Sequence, residues 1–191
     1  MYLCVSVKYD KVKPEEKQEA FCVLKVQIRE AVPADYVVLS KIEAAGFPPA
    51  EAAGEDSLRE RLRLFSPYFL VAEAEGVPVG YIGGNRCSTR VILDAYYEHA
   101  DLHESDGPYQ SVFSLVVLPD YRGKGIAQQL MWAFIELAKQ RGLQAVILTC
   151  KKRLVPFYEQ FGYRCMGVSD STHGGAVWYD MFLPLSESEE I

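Results

Sequence analysis

A turn carrying two glycines, Tyr121-Arg122-Gly123-Lys124-Gly125-Ile126-Ala127, constrains this chain more than any other stretch. The apolar run before it, Val112-Phe113-Ser114-Leu115-Val116-Val117-Leu118-Pro119, predicts a buried strand. After it, Ile126, Leu130, Ala133, Phe134 and Leu137 fall on one face of a helix over Ile126–Arg141. Lys139 and Arg141 in the last turn, with Gly142 beyond, are an ordinary C-terminal signature. A strand that passes through glycines into a helix makes an anion site. The first helical N–H groups lack intrahelical acceptors, point at one spot, and sit at the positive end of the helix dipole.

Glycine matters here for a steric reason. A phosphate reaches several successive amides only where no Cβ intervenes and φ can turn positive. Each such bond is charge-assisted and contributes roughly 1.5–3 kcal/mol. A tight turn that binds nothing would use the same glycines, so the turn alone leaves both readings open. The spacing excludes a P-loop, since no Lys-Ser/Thr follows Gly125, and a dinucleotide fingerprint, since a third glycine is missing.

With 191 residues the chain is expected to form one main domain with a sizeable core. No apolar run approaches the ~20 residues of a membrane span, and Met1–Tyr9 lacks the basic start of a signal peptide. The five cysteines (Cys4, Cys22, Cys87, Cys150, Cys165) form no CxxC pair, and with three histidines they suggest no metal site. Reduced thiols, and with them a cytoplasmic location, are the expectation. A net charge of −6 argues against a nucleic-acid partner. The charge is uneven: from Val91 to Tyr121 there is no Lys or Arg, while Asp94, Glu98, Asp101, Glu104, Asp106 and Asp120 all lie there. Such a segment either draws a cation or keeps a loop solvated.

Alternation and breakers predict a strand at Val26–Glu30 and a helix over Ala34–Ala45 on Val37, Val38, Ile42 and Ala45. Glu55–Phe65 follows as a helix with Leu58, Leu62 and Phe65 inward, then a hairpin of Tyr68–Glu75 and Val79–Cys87. Residues 88–110 hold a short helical turn near Asp94–His99. Beyond the central strand and helix come strands at Gln144–Cys150, Tyr163–Val168 and Ala176–Leu183, with a helix at Val155–Phe161 and a loop at Ser169–Gly175. Hairpins mixed with crossovers predict an α/β (α+β) fold with a mixed sheet. Residues 1–25 form an N-terminal extension, with a strand at Met1–Tyr9 and a helix at Pro14–Leu24 that either cap a sheet edge or mediate self-association as a homodimer. Residues 26–185 form the domain and 186–191 an acidic tail.

The pattern Arg122-Gly123-Lys124-Gly125-Ile126-Ala127 resembles the acetyl-CoA pyrophosphate loop of the GNAT (general N-acetyltransferase) superfamily. Leu148-Thr149-Cys150-Lys151-Lys152-Arg153-Leu154-Val155-Pro156-Phe157-Tyr158-Glu159-Gln160-Phe161-Gly162-Tyr163 resembles the end of the arylalkylamine (serotonin) N-acetyltransferases, with Leu-Val-Pro-Phe-Tyr-Glu-x-Phe as the specific core. The resemblance covers about residues 26–184. It implies a GNAT-type acyl-CoA N-acyltransferase fold, a mixed, mostly antiparallel sheet of about seven strands flanked by about four helices.

That resemblance also implies a site. Backbone groups of Leu115, Val116 and Val117 would bind the pantetheine arm of acetyl-CoA. Amides of Gly123, Lys124, Gly125, Ile126, Ala127 and Gln128 would hold the pyrophosphate, with Arg122 at the rim. Tyr158 would donate a hydrogen bond or proton to the departing sulfur. Its free pKa of about 10 exceeds a thiol's of about 8.5, so the hydrogen bond is the more economical role. Phe47 and Pro48 fall at the apolar wall for the acceptor amine, with Pro49 next to them, and Tyr81, Tyr109, Trp178 and Tyr179 could add aromatic surface. No metal enters.

One departure stands out. Arylalkylamine enzymes carry two histidines on the central strand that relay the substrate proton, and the matching positions here are Ser111 and Phe113. An alkylamine with a pKa near 10.4 needs roughly 4–5 kcal/mol to lose its proton at pH 7, so another acceptor is required. His103, Glu104 and His99 in the acidic segment, His173 in Ser171-Thr172-His173-Gly174-Gly175, and water exposed to bulk are the candidates. Three functions follow: acetylation of a small primary amine such as an arylalkylamine or polyamine, acetylation of a peptide or protein amine, or non-catalytic CoA binding.

Overall fold

The structure is a computed structural model and describes residues 25–186. The expected strand at Met1–Tyr9, the helix at Pro14–Leu24 and the tail beyond residue 186 lie outside the described residues. The elements run β1 (Val26–Glu30), α1 (Tyr36–Gly46), α2 (Glu55–Phe65), β2 (Phe69–Ala74), β3 (Val77–Gly83), β4 (Arg86–Cys87) and α3 (Ala95–Glu98). They continue with β5 (Tyr109–Val112), β6 (Ser114–Val117), α4 (Ile126–Gln140), β7 (Ala145–Cys150), α5 (Val155–Glu159), β8 (Arg164–Val168) and β9 (Tyr179–Pro184).

The strands form two sheets, ordered β1-β2-β3-β6 and β4-β5-β7-β9-β8. All pairings are antiparallel except β5 with β7. The sequence leads one to expect a single central strand over Val112–Pro119. That strand instead breaks at Phe113, which sits in a bend with its N–H on the Gly83 carbonyl at 2.8 Å. The chain before the break follows β7 in parallel register, Tyr109 opposite Ala145 through Val112 opposite Leu148. After the break it follows β3 in antiparallel register, Gly80 opposite Val117 through Gly83 opposite Ser114. β6 and β7 are therefore not hydrogen-bonded to each other, and a cleft opens between them. A bulge that re-aims a strand next to a functional site is a recurring device.

Helix α4 closes one side of the molecule. Ile126, Leu130, Met131, Phe134, Ile135 and Ala138 are buried on it, packed with Leu70, Ile82, Val112 and Leu148. Full burial of each large member stabilises by roughly 1.5–3 kcal/mol, and the 3.6-residue spacing of these positions dictates the helix. A second cluster, Leu39, Ile42, Leu58, Leu62, Phe65, Val71 and Tyr81, mounts α1 and α2 on the other face.

Here the expected inward face of α1 needs correction. Val37 is 42% exposed, and the buried residues are Leu39, Ile42 and Glu43. The apolar pattern favoured the valines because a carboxylate does not score as core. Tertiary hydrogen bonding brings Glu43 inside.

Candidate active site

The mouth of α4 is built as the glycines demand. Gly123 and Gly125 have φ of +73° and +75°, the left-handed region that penalises a side chain, and a Cβ at either would meet open space. Gly125 is the N-cap residue, and its carbonyl takes the Gln129 N–H at 3.0 Å. None of the amides from Gly123 to Gln128 has an acceptor among the described residues. They face a hollow of about 270 Å³ lined by Val117, Tyr121, Arg122, Gly123, Gly125, Ile126, Ala127, Gln128 and Phe157. Arg122 anchors this loop by donating from Nε to the Val117 carbonyl at 3.0 Å. Lys124 is exposed, with its ammonium over the Tyr121 ring at 5.1 Å.

A second cavity of about 240 Å³ adjoins it where the sheet splits. Ser114 and Leu115 line it from β6, and Leu148, Thr149 and Cys150 from β7. Phe47 and Glu43 enter from α1 and its C-cap, and Arg61 from α2. Tyr97 enters from α3, Tyr158 from α5, and His173 and Trp178 from the last loop. Leu115 and Tyr158 face this cavity while Val117 and Phe157 face the phosphate-sized hollow, so β6 and α5 run along both. Val116 points the other way, into the α1–α2 cluster.

Tyr158 is 8% exposed, its ring edge-on to Phe157 and Tyr163 with centroids 5.1 and 5.8 Å apart. Burial pushes its phenol well above the ordinary tyrosine value, with Cys150 and Tyr97 adding to the rise. The group therefore stays protonated and donates. Its hydroxyl bonds to no described residue and is not sealed off, since among the described residues only Asp180 Oδ1 is both buried and without a partner. Burial likewise pushes the Cys150 thiol up to about 12. That thiol stays neutral, which argues against a covalent acyl-cysteine route.

Glu43 is held by three donors: Tyr81 Oη at 2.7 Å, Ser114 Oγ at 2.9 Å and the Ala53 N–H at 3.2 Å. Burial raises its pKa; these bonds and the nearby Arg61 oppose the rise. Arg61 is 3% exposed, donates from Nη2 to the Tyr97 carbonyl at 2.7 Å, and lies over the Phe113 ring at 4.8 Å. Neither residue carries a motif. The one signal for Arg61 was its place one residue before Leu62, on an otherwise apolar face of α2.

The segment carrying α3 is fastened over the cavity. Asp94 accepts Ser171 Oγ, the Thr172 N–H at 3.0 Å and Thr172 Oγ1 at 3.1 Å. Tyr97 stacks on His173 at 4.4 Å and shares a hydrogen bond with Thr149 Oγ1 at 3.2 Å. His173 in turn contacts the Glu51 carbonyl at 3.3 Å. Of the acids expected to draw a cation, only the exposed Glu98 lines the cavity; Asp94 serves the fastening, and Glu104 accepts Ser88 Oγ.

Several expected residues lie elsewhere. Ser111 is fully buried and bonded to Asn85, donating to Oδ1 at 2.6 Å, so it does not face the cavity. His103 stacks on Phe65 at 4.6 Å and accepts the Arg86 N–H at 3.2 Å, outside the cavity lining. Pro48 and Pro49 are exposed and only Phe47 of that trio lines the cavity. Tyr81 is fully buried on Glu43, and Tyr109 packs in a separate core cluster. Phe113 lines the cavity but as a hydrophobic wall.

A split sheet with an open helix mouth at one end of the cleft defines an acyl-CoA N-acyltransferase fold. A solved GNAT-like decarboxylase in complex with isobutyryl-CoA is similar over 84% of this chain and 100% of that one, with TM-score 0.74 and 20% identity. Residues 36–163 match the acetyltransferase (GNAT) family, and the chain belongs to it. It is similar to the serotonin N-acetyltransferase of Mesocricetus auratus, 26% identical over 81% of this chain and 75% of that protein. The Homo sapiens serotonin N-acetyltransferase is 28% identical over 68% of this chain and 62% of its own length. These similarities put the chain on the arylalkylamine-like side of the family.

Proposed function

We propose that the protein is an acetyl-CoA-dependent N-acetyltransferase acting on a primary amine of a small molecule. The observation that carries this reading is the adjacency of the open amide cluster at Gly123–Gln128 to the cavity holding Tyr158. The residues present fit a CoA diphosphate: two left-handed glycines whose missing Cβ atoms leave open space, six amides without acceptors, and a hollow of matching scale. When bound, acetyl-CoA supplies the activated acetyl thioester.

This chain's residues then do the rest. The amides from Gly123 to Gln128 hold the diphosphate with charge-assisted bonds. Backbone groups of Leu115, Val116 and Val117 on β6, left without a strand partner on the cleft side, hold the arm. Tyr158 keeps its proton through the physiological range and directs it at the sulfur, where negative charge builds as the thioester breaks. Phe47, Phe113, Tyr97 and Trp178 give the acceptor an apolar wall. His173 is the histidine that lines the cavity; with Nε2–H donating to the Glu51 carbonyl, Nδ1 is the ring nitrogen left to accept the amine proton.

The enclosed cavity favours a small acceptor over a peptide. Asp94 fastens α3 to the 169–175 loop, and Tyr97, His173 and Trp178 from these two segments line the cavity, which supports a compact acceptor. The direct test is release of free thiol from acetyl-CoA with a panel of small amines and of N-terminal peptides. Turnover of a small amine is expected; absence of both turnover and acetyl-CoA binding by calorimetry would end the reading.

A further inference from the structure

Arg61 is the most unusual polar residue in the cavity. It is 3% exposed, yet among the described residues its side chain makes one hydrogen bond, Nη2 to the Tyr97 carbonyl. Guanidinium has five N–H donors in a planar fork. Its Nε and Nη1 bond to no described residue, and neither is among the buried atoms lacking a partner, so both remain reachable. Because the residue lines the cavity and is otherwise enclosed, reachable means reachable from the cavity. The aromatic face of Phe113 covers one side of the guanidinium at 4.8 Å and leaves its edge as the working surface.

A buried cation with spare in-plane donors calls for a planar anion. The internal acids leave those donors free. Glu43 lies near enough to interact electrostatically with Arg61, but it uses its oxygens on Tyr81, Ser114 and Ala53 and makes no hydrogen bond to the guanidinium. Glu51 is paired with Lys151 Nζ at 2.6 Å, and Glu98 is exposed. A carboxylate accepts from the spare guanidinium N–H groups in charge-assisted hydrogen bonds, and the enclosed setting strengthens them.

We infer that Arg61 is a carboxylate-recognition residue, and that one reactant in this cavity, most simply the acceptor amine, carries a carboxylate, as an amino acid does. The inference rests on the N-acetyltransferase reading above and narrows its substrate class. The same carboxylate chemistry could instead sit on the acyl group, as in a malonyl thioester.

Two comparisons test it. In the first, wild-type protein with acetyl-CoA is offered phenylalanine against phenethylamine and tryptophan against tryptamine. We expect kcat/KM to favour the carboxylated partner at least tenfold, and Arg61→Gln to reduce that preference at least tenfold, while Arg61→Lys retains part of it. In the second, malonyl-CoA and acetyl-CoA binding are measured by calorimetry on wild type and Arg61→Gln. A malonyl preference that Arg61→Gln abolishes, with no acceptor preference, puts the carboxylate on the acyl group.

The inference is overturned if wild type takes the decarboxylated amines equally well or better and binds malonyl-CoA no more tightly than acetyl-CoA. That result needs no variant, so it stands even if Arg61→Gln fails to fold. Should no amine be turned over, calorimetry of phenylalanine on the wild-type protein still decides. Binding that Arg61→Gln removes keeps the carboxylate site, and the transferase reading then falls only if acetyl-CoA does not bind either; no binding of phenylalanine and no malonyl-CoA preference together overturn the site.

Discussion

Ser114 Oγ donates to Glu43 Oε1 at 2.9 Å across 71 positions of the sequence. That one bond ties the C-terminal half of α1 to the residue just after the break in the central strand. The other Glu43 oxygen takes the Tyr81 hydroxyl from β3, so the carboxylate clips a helix to two strands at the point where the sheet splits. Removing these hydroxyl donors would leave a buried carboxylate short of hydrogen bonds, a costly state. The cleft proposed to receive substrate is thus shaped by a polar contact rather than by apolar packing alone.

Gly125→Val should raise the acetyl-CoA dissociation constant at least tenfold, about 1.4 kcal/mol. A β-branched residue at φ +75° is strained, and its side chain would project into the hollow where the diphosphate is expected. Calorimetric titration with acetyl-CoA measures the effect, and circular dichroism checks that the fold persists. Binding within twofold of wild type would dismiss the phosphate role of this turn.

Tyr158→Phe should lower kcat at least tenfold, a modest loss for a transition-state proton or hydrogen-bond donor, with the KM for acetyl-CoA within about twofold. The substitution keeps the ring contacts with Phe157 and Tyr163, so packing is preserved. Because burial raises the phenol's pKa, the wild-type rate should not fall on account of Tyr158 as pH rises through 9 and 10. An alkaline fall near pH 10 that vanishes in the variant would count against the assignment.

Asp94→Asn should weaken the fastening of α3 to the 169–175 loop and raise KM for the acceptor several-fold, leaving acetyl-CoA affinity little changed. Ser171 and Thr172 lose a charged acceptor, and Tyr97 and His173, stacked at 4.4 Å, lose the frame that aligns them. Steady-state kinetics with each substrate varied in turn separates the two effects.

Arg29 links Asp35 at 2.7 Å and Glu73 at 2.8 Å, joining β1, β2 and the turn before α1. Burial pushes the Asp35 carboxyl up, but the Arg29 guanidinium and the Val32 N–H outweigh it, and its pKa lies below the ordinary value. The sign follows: unfolded Asp35 takes up protons first, so the stabilisation is present above pH 4 and is lost as pH falls through the lowered value. Arg29→Gln should cost about 1 kcal/mol at pH 7, given its partial exposure, and flatten the acid limb of stability measured by urea titration between pH 5 and 2.

His103 marks a limit of reading the chain. A histidine among carboxylates is a reasonable base on paper, yet here it is stacked on Phe65 with the Tyr68 ring tilted against it, and burial lowers its pKa. The acid-rich segment advertised a surface, and the tertiary structure turned that side chain inward. Ser111 shares the outcome, because its register in β5 points it at Asn85. Arg61 shows the opposite case. In a helix reading Glu-Asp-Ser-Leu-Arg-Glu-Arg-Leu-Arg-Leu-Phe, Arg61 is marked only by its spacing from Leu58 and Phe65, and its packing against Phe113 and Tyr97 shows what that position is for.

What the residues determined alone is local. The strand-to-helix turn at Gly123 and Gly125, the amphipathic stripe of α4 and the short Val155–Glu159 helix that presents Tyr158 all follow from φ requirements and apolar spacing within a few positions. The break at Phe113, the burial of Glu43 and Arg61 and the fastening by Asp94 depend on partners far away in sequence. Their energies exist only once distant strands and loops are brought together, so local pattern alone does not fix them.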